Sequence, residues 1–366
     1  MHVGMALNFQ NLHDKLDDRE VYEKELAFGV EAEGLGFESL WCVEHHFTDY
    51  ILCPNVLQQL TYFAAKTSTI ELGSAVVVLP WHNPVRVAEE VTVLDHMSNG
   101  RVVLGIGRGL GRVEFEGLGV NMGESRERFV EYSEMLLNSL DTGFVEYDGK
   151  HLKQPRRELR PKPFKSFRGR TYAAAVSPES VEIMSKLGVG IMIVPQKPWE
   201  ELIPELASYR ARYQHYTGEK APPTRHVGYT CCHEDADVAR DMAVRYIGAY
   251  YDSVLRHYEL AADHMKDIKG YEHYADMQEK VHEHGTDAAT EAFLNLQIWG
   301  TPEMCYEKIV SISNRICSDS FTGVFSFGGM AWDVADANRQ LFVDKVMPEL
   351  KALAPIEERF TEQAAE

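Results

Sequence analysis

The sequence predicts an α/β protein: a (β/α)8 TIM barrel with insertions, residues 1–366 forming a single barrel domain. Three observations carry this. Apolar, β-rich runs alternate with helical patterns almost throughout the chain. Those runs are nearly continuous rather than alternating, as parallel strands covered on both faces require. There are eight of them, which suits a closed barrel better than an open doubly wound sheet.

The strand runs are 3–9, 38–43, 70–78, 102–107, 171–176, 190–194, 226–231 and 323–327. Helical patterns follow each in turn at 21–35, 56–67, 85–97, 126–140, 178–187, 199–216, 236–258 and 334–350. A further helix at 302–314 precedes the eighth strand, and Thr301-Pro302-Glu303 marks its start with a capping Thr and a Pro at the first helical position. Two stretches interrupt the rhythm. About 144–168 holds Asp148-Gly149 and three prolines, Pro155, Pro161 and Pro163, and reads as a hairpin-and-loop insertion. About 262–292 is polar and rich in His and Glu, and reads as an exposed helical excursion or a lid.

Composition excludes several function classes. Hydrophobic residues at 45% and charged residues at 25% are ordinary for a globular protein, and the chain is long enough to bury a core without a metal or disulfide. A formal net charge of −19 argues against nucleic-acid and anionic-membrane partners, both of which need basic patches. The six cysteines, Cys42, Cys53, Cys231, Cys232, Cys305 and Cys317, form no CxxC pair and no zinc-finger spacing, which suits a reducing cytoplasm. The first residues lack the basic and apolar regions of a secretory leader, and no apolar run is long enough to span a bilayer.

In a barrel, function gathers at the C-terminal ends of the strands. Three segments there carry chemistry. Glu44-His45-His46-Phe47, after the second strand, offers acid–base or metal-binding groups. Adjacent extended residues diverge, so by spacing alone a hydrogen-bonded structural histidine is favoured over a shared site. Gly105-Ile106-Gly107-Arg108-Gly109-Leu110-Gly111-Arg112, after the fourth strand, lacks the dinucleotide order with a helix following at once. Its turn still exposes N–H groups, and Arg108 supplies a charge suited to phosphate, the alternative being a barrel-mouth loop with a surface arginine. Val176-Ser177-Pro178-Glu179-Ser180, after the fifth strand, looks like a capped helix start, which is also an anion site. Arg108, Ser177 and Ser180 together can hold one phosphate, the charge of a mononucleotide.

An ordered series of segments then resembles the bacterial luciferase-like flavin monooxygenases, in particular their α subunits. The series is Glu44-His45-His46-Phe47-Thr48, Leu79-Pro80, His82-Asn83-Pro84-Val85-Arg86, Leu94-Asp95-His96-Met97-Ser98-Asn99-Gly100-Arg101 and Gly105-Ile106-Gly107-Arg108-Gly109-Leu110, then Tyr251-Asp252-Ser253, Gly300-Thr301-Pro302-Glu303 and Val346-Met347-Pro348. It covers nearly the whole chain. The resemblance implies a catalytic role for His45. It implies that Arg108, Ser177 and Ser180 hold the FMN phosphate, that Gly107 and Val176 stand near the flavin, and that a cis peptide at Ala75–Val76 lies beneath the ring. It implies that the polar excursion is an active-site loop. It implies reduced FMN as cofactor, a separate flavin reductase as its source, O2 and a small apolar organic compound as substrates, and a homodimer, or a heterodimer with a related barrel subunit. The chain departs from luciferase at Gly107, which replaces a cysteine, at Val176, which replaces a glutamate, and at Gln196 and Tyr250, near tryptophan positions. Those departures imply a differently shaped, less aromatic pocket, so light emission and an aldehyde substrate do not carry over. Competing expectations are an F420-dependent oxidoreductase of the same fold, a metal-dependent barrel hydrolase using His45, His46 and His226, and a non-catalytic flavin-binding subunit.

Overall fold

The computed structural model describes residues 1–174, 178–260, 262, 264–268 and 271–363. Twelve strands are found among them: β1 (His2–Leu7), β2 (Ser39–Cys42), β3 (Glu71–Ser74), β4 (Val77–Val78), β5 (Val102–Gly107), β6 (Phe144–Asp148), β7 (Lys153–Glu158), β8 (Thr171–Ala174), β9 (Gly190–Ile193), β10 (Arg225–Cys232), β11 (Ile298–Gly300) and β12 (Ser320–Val324). Eight form a closed parallel barrel in the order β1-β2-β3-β5-β8-β9-β10-β12, with β12 pairing back to β1 through Val3 and Phe321. The barrel follows from side chains buried on both faces: every residue of β2, β5, β9 and β12 is buried. Continuous apolar runs therefore cost nothing in exposed surface here.

The third strand run is divided. β3 ends at Ser74, the Ala75–Val76 peptide bond is cis, and β4 resumes against β5 through Val77 and Ile106. Close approach at this break demands glycine on β5. A Cβ at Gly105 would lie 1.9 Å from the Ser74 carbonyl oxygen, and one at Gly107 would lie 2.3 Å from a Val76 methyl. Ser74 Oγ closes the gap by donating to Gly105 O at 2.9 Å and accepting from Gly105 N at 2.8 Å.

Other elements differ from the expectation in identifiable ways. The eighth strand begins at Ser320, three residues ahead of the run at 323, because Ser320 pairs with both His2 and Arg225. The helix expected at 236–258 contains a π turn, Ala243–Ile247, between Ala236–Met242 and Gly248–His257. The one expected at 334–350 breaks into Trp332–Lys345 and Met347–Ala352, since Pro348 cannot continue the first helix. A short helix, Arg112–Gly117, directly follows the glycine-rich turn, where none was expected. β11 lies outside the barrel on the end of β10. The insertion at 144–168 is the antiparallel β6–β7 hairpin and its loop. The later excursion is largely the Glu272–Leu296 helix, interrupted at Gly285 by a non-helical φ of 82°.

Part of the family-like pattern serves the frame. Buried Asp95 takes a two-pronged bond from Arg170, at 2.7 and 2.8 Å. Arg101 donates to the carbonyls of Ala64, Thr67, Ile70 and Ser98, satisfying backbone groups where the Val56–Lys66 helix ends. Among the described residues, no helix is long and apolar enough to cross a membrane.

Candidate active site

A cavity of about 430 Å³ opens at the C-terminal ends of the barrel strands. The turn after β2 feeds it with three consecutive polar side chains that go to different partners. Glu44 is buried and accepts from Val78 N at 2.9 Å. Its other oxygen lies 3.1 Å from His46 Nε2 and 2.6 Å from His82 Nε2. Burial opposes ionisation of Glu44, but the bonds from His46 and His82 outweigh it and hold its pKa below the ordinary value. His82 is shifted the other way: burial lowers its pKa, and Glu44 raises it by more. His46 is therefore a structural histidine, as spacing alone favours. The next residue, Asn83, caps the Pro84–Met97 helix by accepting from Val85 N at 2.9 Å.

His45 faces the cavity. Its Nδ1 is 3.0 Å from Glu114 Oε1, which also accepts from His46 N at 2.9 Å. An ionised carboxylate only accepts, so Nδ1 carries the proton, leaving Nε2 toward the cavity. There Nε2 is 3.5 Å from the Tyr258 hydroxyl. The second oxygen of Glu114 lies 3.3 Å from His257 Nε2, and His257 Nδ1 is 2.8 Å from Thr48 Oγ1. Tyr50 stacks on His257 at 4.6 Å and meets His45 edge-on at 4.8 Å. The result is an imidazole held in one tautomer by a buried carboxylate and walled by aromatic rings. Such a group can accept or return a proton at Nε2. Glu114 and His257 have no local sequence signal; Glu114 lies on the unanticipated Arg112–Gly117 helix.

Burial opposes ionisation of Glu114, but the charge of His45 and the contacts of His257 and His45 hold its pKa at about 2. A carboxylate whose folded pKa lies below its reference value of 4.5 stabilises the fold above that value, and the contribution fades as pH falls toward 2. Glu114→Gln is therefore expected to be less stable than the parent near neutrality. The gap should shrink by on the order of 2 kcal/mol between about pH 6 and about pH 3, at about 1.4 kcal/mol per unit. Urea unfolding at the two pH values measures it; a constant gap would mean that Glu114 is not held as an anion.

The other predicted site residues divide as follows. Ala75, Val76, Gly107, Arg108 and Ser180 line the same cavity as His45. Val176 and Ser177 lie outside the described residues. The helix they precede is Pro178–Leu187, as expected. Arg108 spreads its guanidinium over the ring of Tyr271 at 4.0 Å. Tyr271 is buried, with its hydroxyl donating to Gly109 O at 3.0 Å and lying 3.0 Å from Ser125 Oγ. The excursion is thus fastened to the glycine-rich turn, and Arg112 pairs with Glu259 at 2.6 Å beside it. A second arginine, Arg126, opens the Ser125–Thr142 helix, lines the cavity and pairs with Glu179 at 2.7 Å. In the sequence Arg126 marks only a helix start. Two arginines and a serine at one end of a cavity suit a phosphate.

The histidines of the metal-hydrolase reading do not meet. His46 is bound to Glu44, and His226 is buried near the opposite end of β10, 3.4 Å from Ser318 Oγ and packed on Phe321. A different trio, His45, Glu114 and His257, has ligand-type atoms within 4.8 Å of one another. Tyr50, Trp81, Tyr229, Tyr250, Tyr258 and Phe293 all line the cavity. Tyr229 lies on β10, Tyr250 on the Gly248–His257 helix and Phe293 on the Glu272–Leu296 helix, so segments far apart in sequence supply these rings.

The profile of the luciferase-like monooxygenases matches residues 1–317. The chain belongs to the luciferase-like monooxygenase family. Among curated relatives, this luciferase-like chain is similar to the alkanal monooxygenase alpha chain of the Kryptophanaron alfredi symbiont, 27% identical over 346 residues, covering 92% of this chain and 95% of that one. Among solved structures it resembles the monooxygenase RslO1 from Streptomyces bottropensis, with a TM-score of 0.78 at 22% identity over 95% of this chain and 99% of that one. It also resembles the oxygenating constituent of 3,6-diketocamphane monooxygenase from Pseudomonas putida, in complex with FMN, with a TM-score of 0.73 at 17% identity over 97% of this chain and all of that one.

Proposed function

We propose that this luciferase-like monooxygenase binds reduced FMN supplied by a separate flavin reductase and uses O2 to oxygenate a small, largely apolar organic compound. The observation that carries the reading is one cavity lined both by Arg108, Arg126 and Ser180 and by the His45–Glu114 pair. The residues fit the cofactor. The arginines suit a doubly charged phosphate, and Ala75, Val76 and Gly107 line the same cavity without a polar side chain, as the apolar face of a flat ring system needs. The reduced flavin, when bound, supplies the electrons for oxygen activation.

The chain's own groups do the rest. Arg108 and Arg126 anchor the anionic end of the cofactor. The aromatic lining keeps water from the reacting atoms. His45 holds or accepts a proton at Nε2, with Glu114 fixing its ring. Oxygen uptake with reduced FMN across aliphatic, terpenoid and aromatic compounds tests the reading, with product scored against hydrogen peroxide. Substrate-dependent uptake supports it. Turnover only with reduced F420 and without oxygen would replace it with hydride transfer. Activity abolished by a chelator and restored by a metal would instead assign the His45, Glu114 and His257 trio to a metal ion.

A further inference from the structure

The C-terminal end of the Gly248–His257 helix brackets the His45–Glu114 pair from both sides. His257 Nε2 lies 3.3 Å from the second oxygen of Glu114, and the hydroxyl of the next residue, Tyr258, lies 3.5 Å from His45 Nε2. Tyr258 closes the helix, its N–H donating to Val254 O at 3.0 Å. Two consecutive side chains of one helix end are thus fixed against one proton-handling pair. The Tyr258 ring meets the imidazole edge-on at 6.0 Å. Catalytic hydrogen bonds often stand this long until the loaded site tightens them.

Behind Tyr258 stands a series of hydroxyls. Tyr258 bonds to Tyr50, and the Tyr50 hydroxyl lies 2.7 Å from that of Tyr250, with either able to donate. Tyr250 bonds to Tyr229 in turn. Burial pushes the phenols of Tyr50, Tyr250 and Tyr258 above their ordinary range, so each stays neutral and both donates and accepts. Such a series can run in either direction. With His45 neutral, Tyr250 donates to Tyr50, Tyr50 to Tyr258, and Tyr258 to Nε2. Once Nε2 has taken a proton, its N–H donates to Tyr258, Tyr258 to Tyr50, Tyr50 to Tyr250, and Tyr250 to Tyr229. Each hydroxyl hydrogen only rotates about its C–O bond, and no O–H bond breaks. Phenylalanine at position 258 could do neither, and the imidazole would then be held at its Nδ1 edge alone.

We propose that Tyr258 is a positioning residue for proton transfer: its hydroxyl, backed by Tyr50 and Tyr250, keeps His45 Nε2 hydrogen-bonded in both protonation states of the ring. This rests on the reading of His45 as the proton-handling group of a monooxygenase, while the bond itself is measurable without turnover.

The test is nitrogen-15 NMR of histidine-labelled protein without flavin, the His45 signals being assigned by their loss in His45→Ala. The Nε2 signal of the unmodified protein is expected upfield of its position in Tyr258→Phe, as acceptance of a hydrogen bond requires, with Nδ1 protonated in both. Turnover with reduced FMN is then compared. Tyr258→Phe should lower kcat for product by about 10-fold, the scale of one hydrogen bond to a charged group, with KM and FMN affinity nearly unchanged. In the His45→Ala background the same substitution should cost nothing further, since a residue that acts through His45 then has nothing to act on. An Nε2 signal that does not move overturns the proposal, as does a Tyr258→Phe loss of equal size in both backgrounds. So does a rise in KM or a loss of FMN affinity in place of the fall in kcat, which would assign Tyr258 to ligand contact. If Tyr258→Phe does not fold by circular dichroism, Tyr50→Phe, which cuts the series one hydroxyl further on, takes its place, and the same direction of Nε2 shift is required of it. An Nε2 shift without turnover on any substrate would retain Tyr258 as the partner of His45 and remove the monooxygenase reading; coupled turnover with an unmoved signal would do the reverse.

Discussion

His45→Ala is expected to lower oxygenation turnover by about 10²-fold or more, the scale of losing a positioned general acid or base. Flavin affinity should stay nearly unchanged, because the phosphate-type groups Arg108, Arg126 and Ser180 remain in place in the variant. The argument rests on the ring's surroundings. Nδ1 is committed to buried Glu114 at 3.0 Å, so the edge of the imidazole left for proton transfer is Nε2, which lies 3.5 Å from the Tyr258 hydroxyl. Removing the ring takes away the proton-handling atom and leaves Glu114 with His257. Consumed oxygen should then appear as hydrogen peroxide rather than product. The ratio of product to peroxide, measured with flavin affinity in the same preparation, separates this role from anchoring. Full coupled turnover in the variant would reduce His45 to a structural residue and remove the proposed mechanism.

Arg108→Ala is expected to weaken FMN binding by about 10- to 100-fold, the range for one lost charge-assisted bond of roughly 1.5–3 kcal/mol. Riboflavin, which lacks the phosphate, should lose much less. The comparison matters because Arg108 also covers Tyr271, so its removal loosens the fastening of the excursion to the glycine-rich turn. A general loosening would weaken both ligands alike, and equal losses would count against the phosphate assignment. The paired titration by fluorescence quenching distinguishes the two outcomes.

The local signals in the sequence are strong where chemistry is local. The glycine-rich turn follows its strand at Gly107 as expected, the Glu44–Thr48 turn follows a strand that ends one residue early at Cys42, and Thr301 caps its helix by accepting from Met304 N at 3.3 Å. The eight strand runs correspond to eight barrel strands because burial on both faces leaves a continuous apolar stretch in the chain. Boundaries moved where pairing rather than composition sets them, as at Ser320, whose position depends on His2 and Arg225.

The sequence by itself determined the barrel class, the strand-end location of His45 and Arg108, and the diverging fates of His45 and His46, since strand periodicity and capping act over a few residues. The tertiary structure alone decided that Glu114 and His257 meet His45 and that Arg126 joins Arg108 at one cavity. Closing the barrel sets β12 between β10 and β1, and packing the turns after β2 and β5 together sets His45 and Glu114, 69 positions apart, at 3.0 Å. No periodicity within one segment encodes such a distance: it is fixed by how all eight strands pack, and the polar contacts of the site form only once that packing has excluded water.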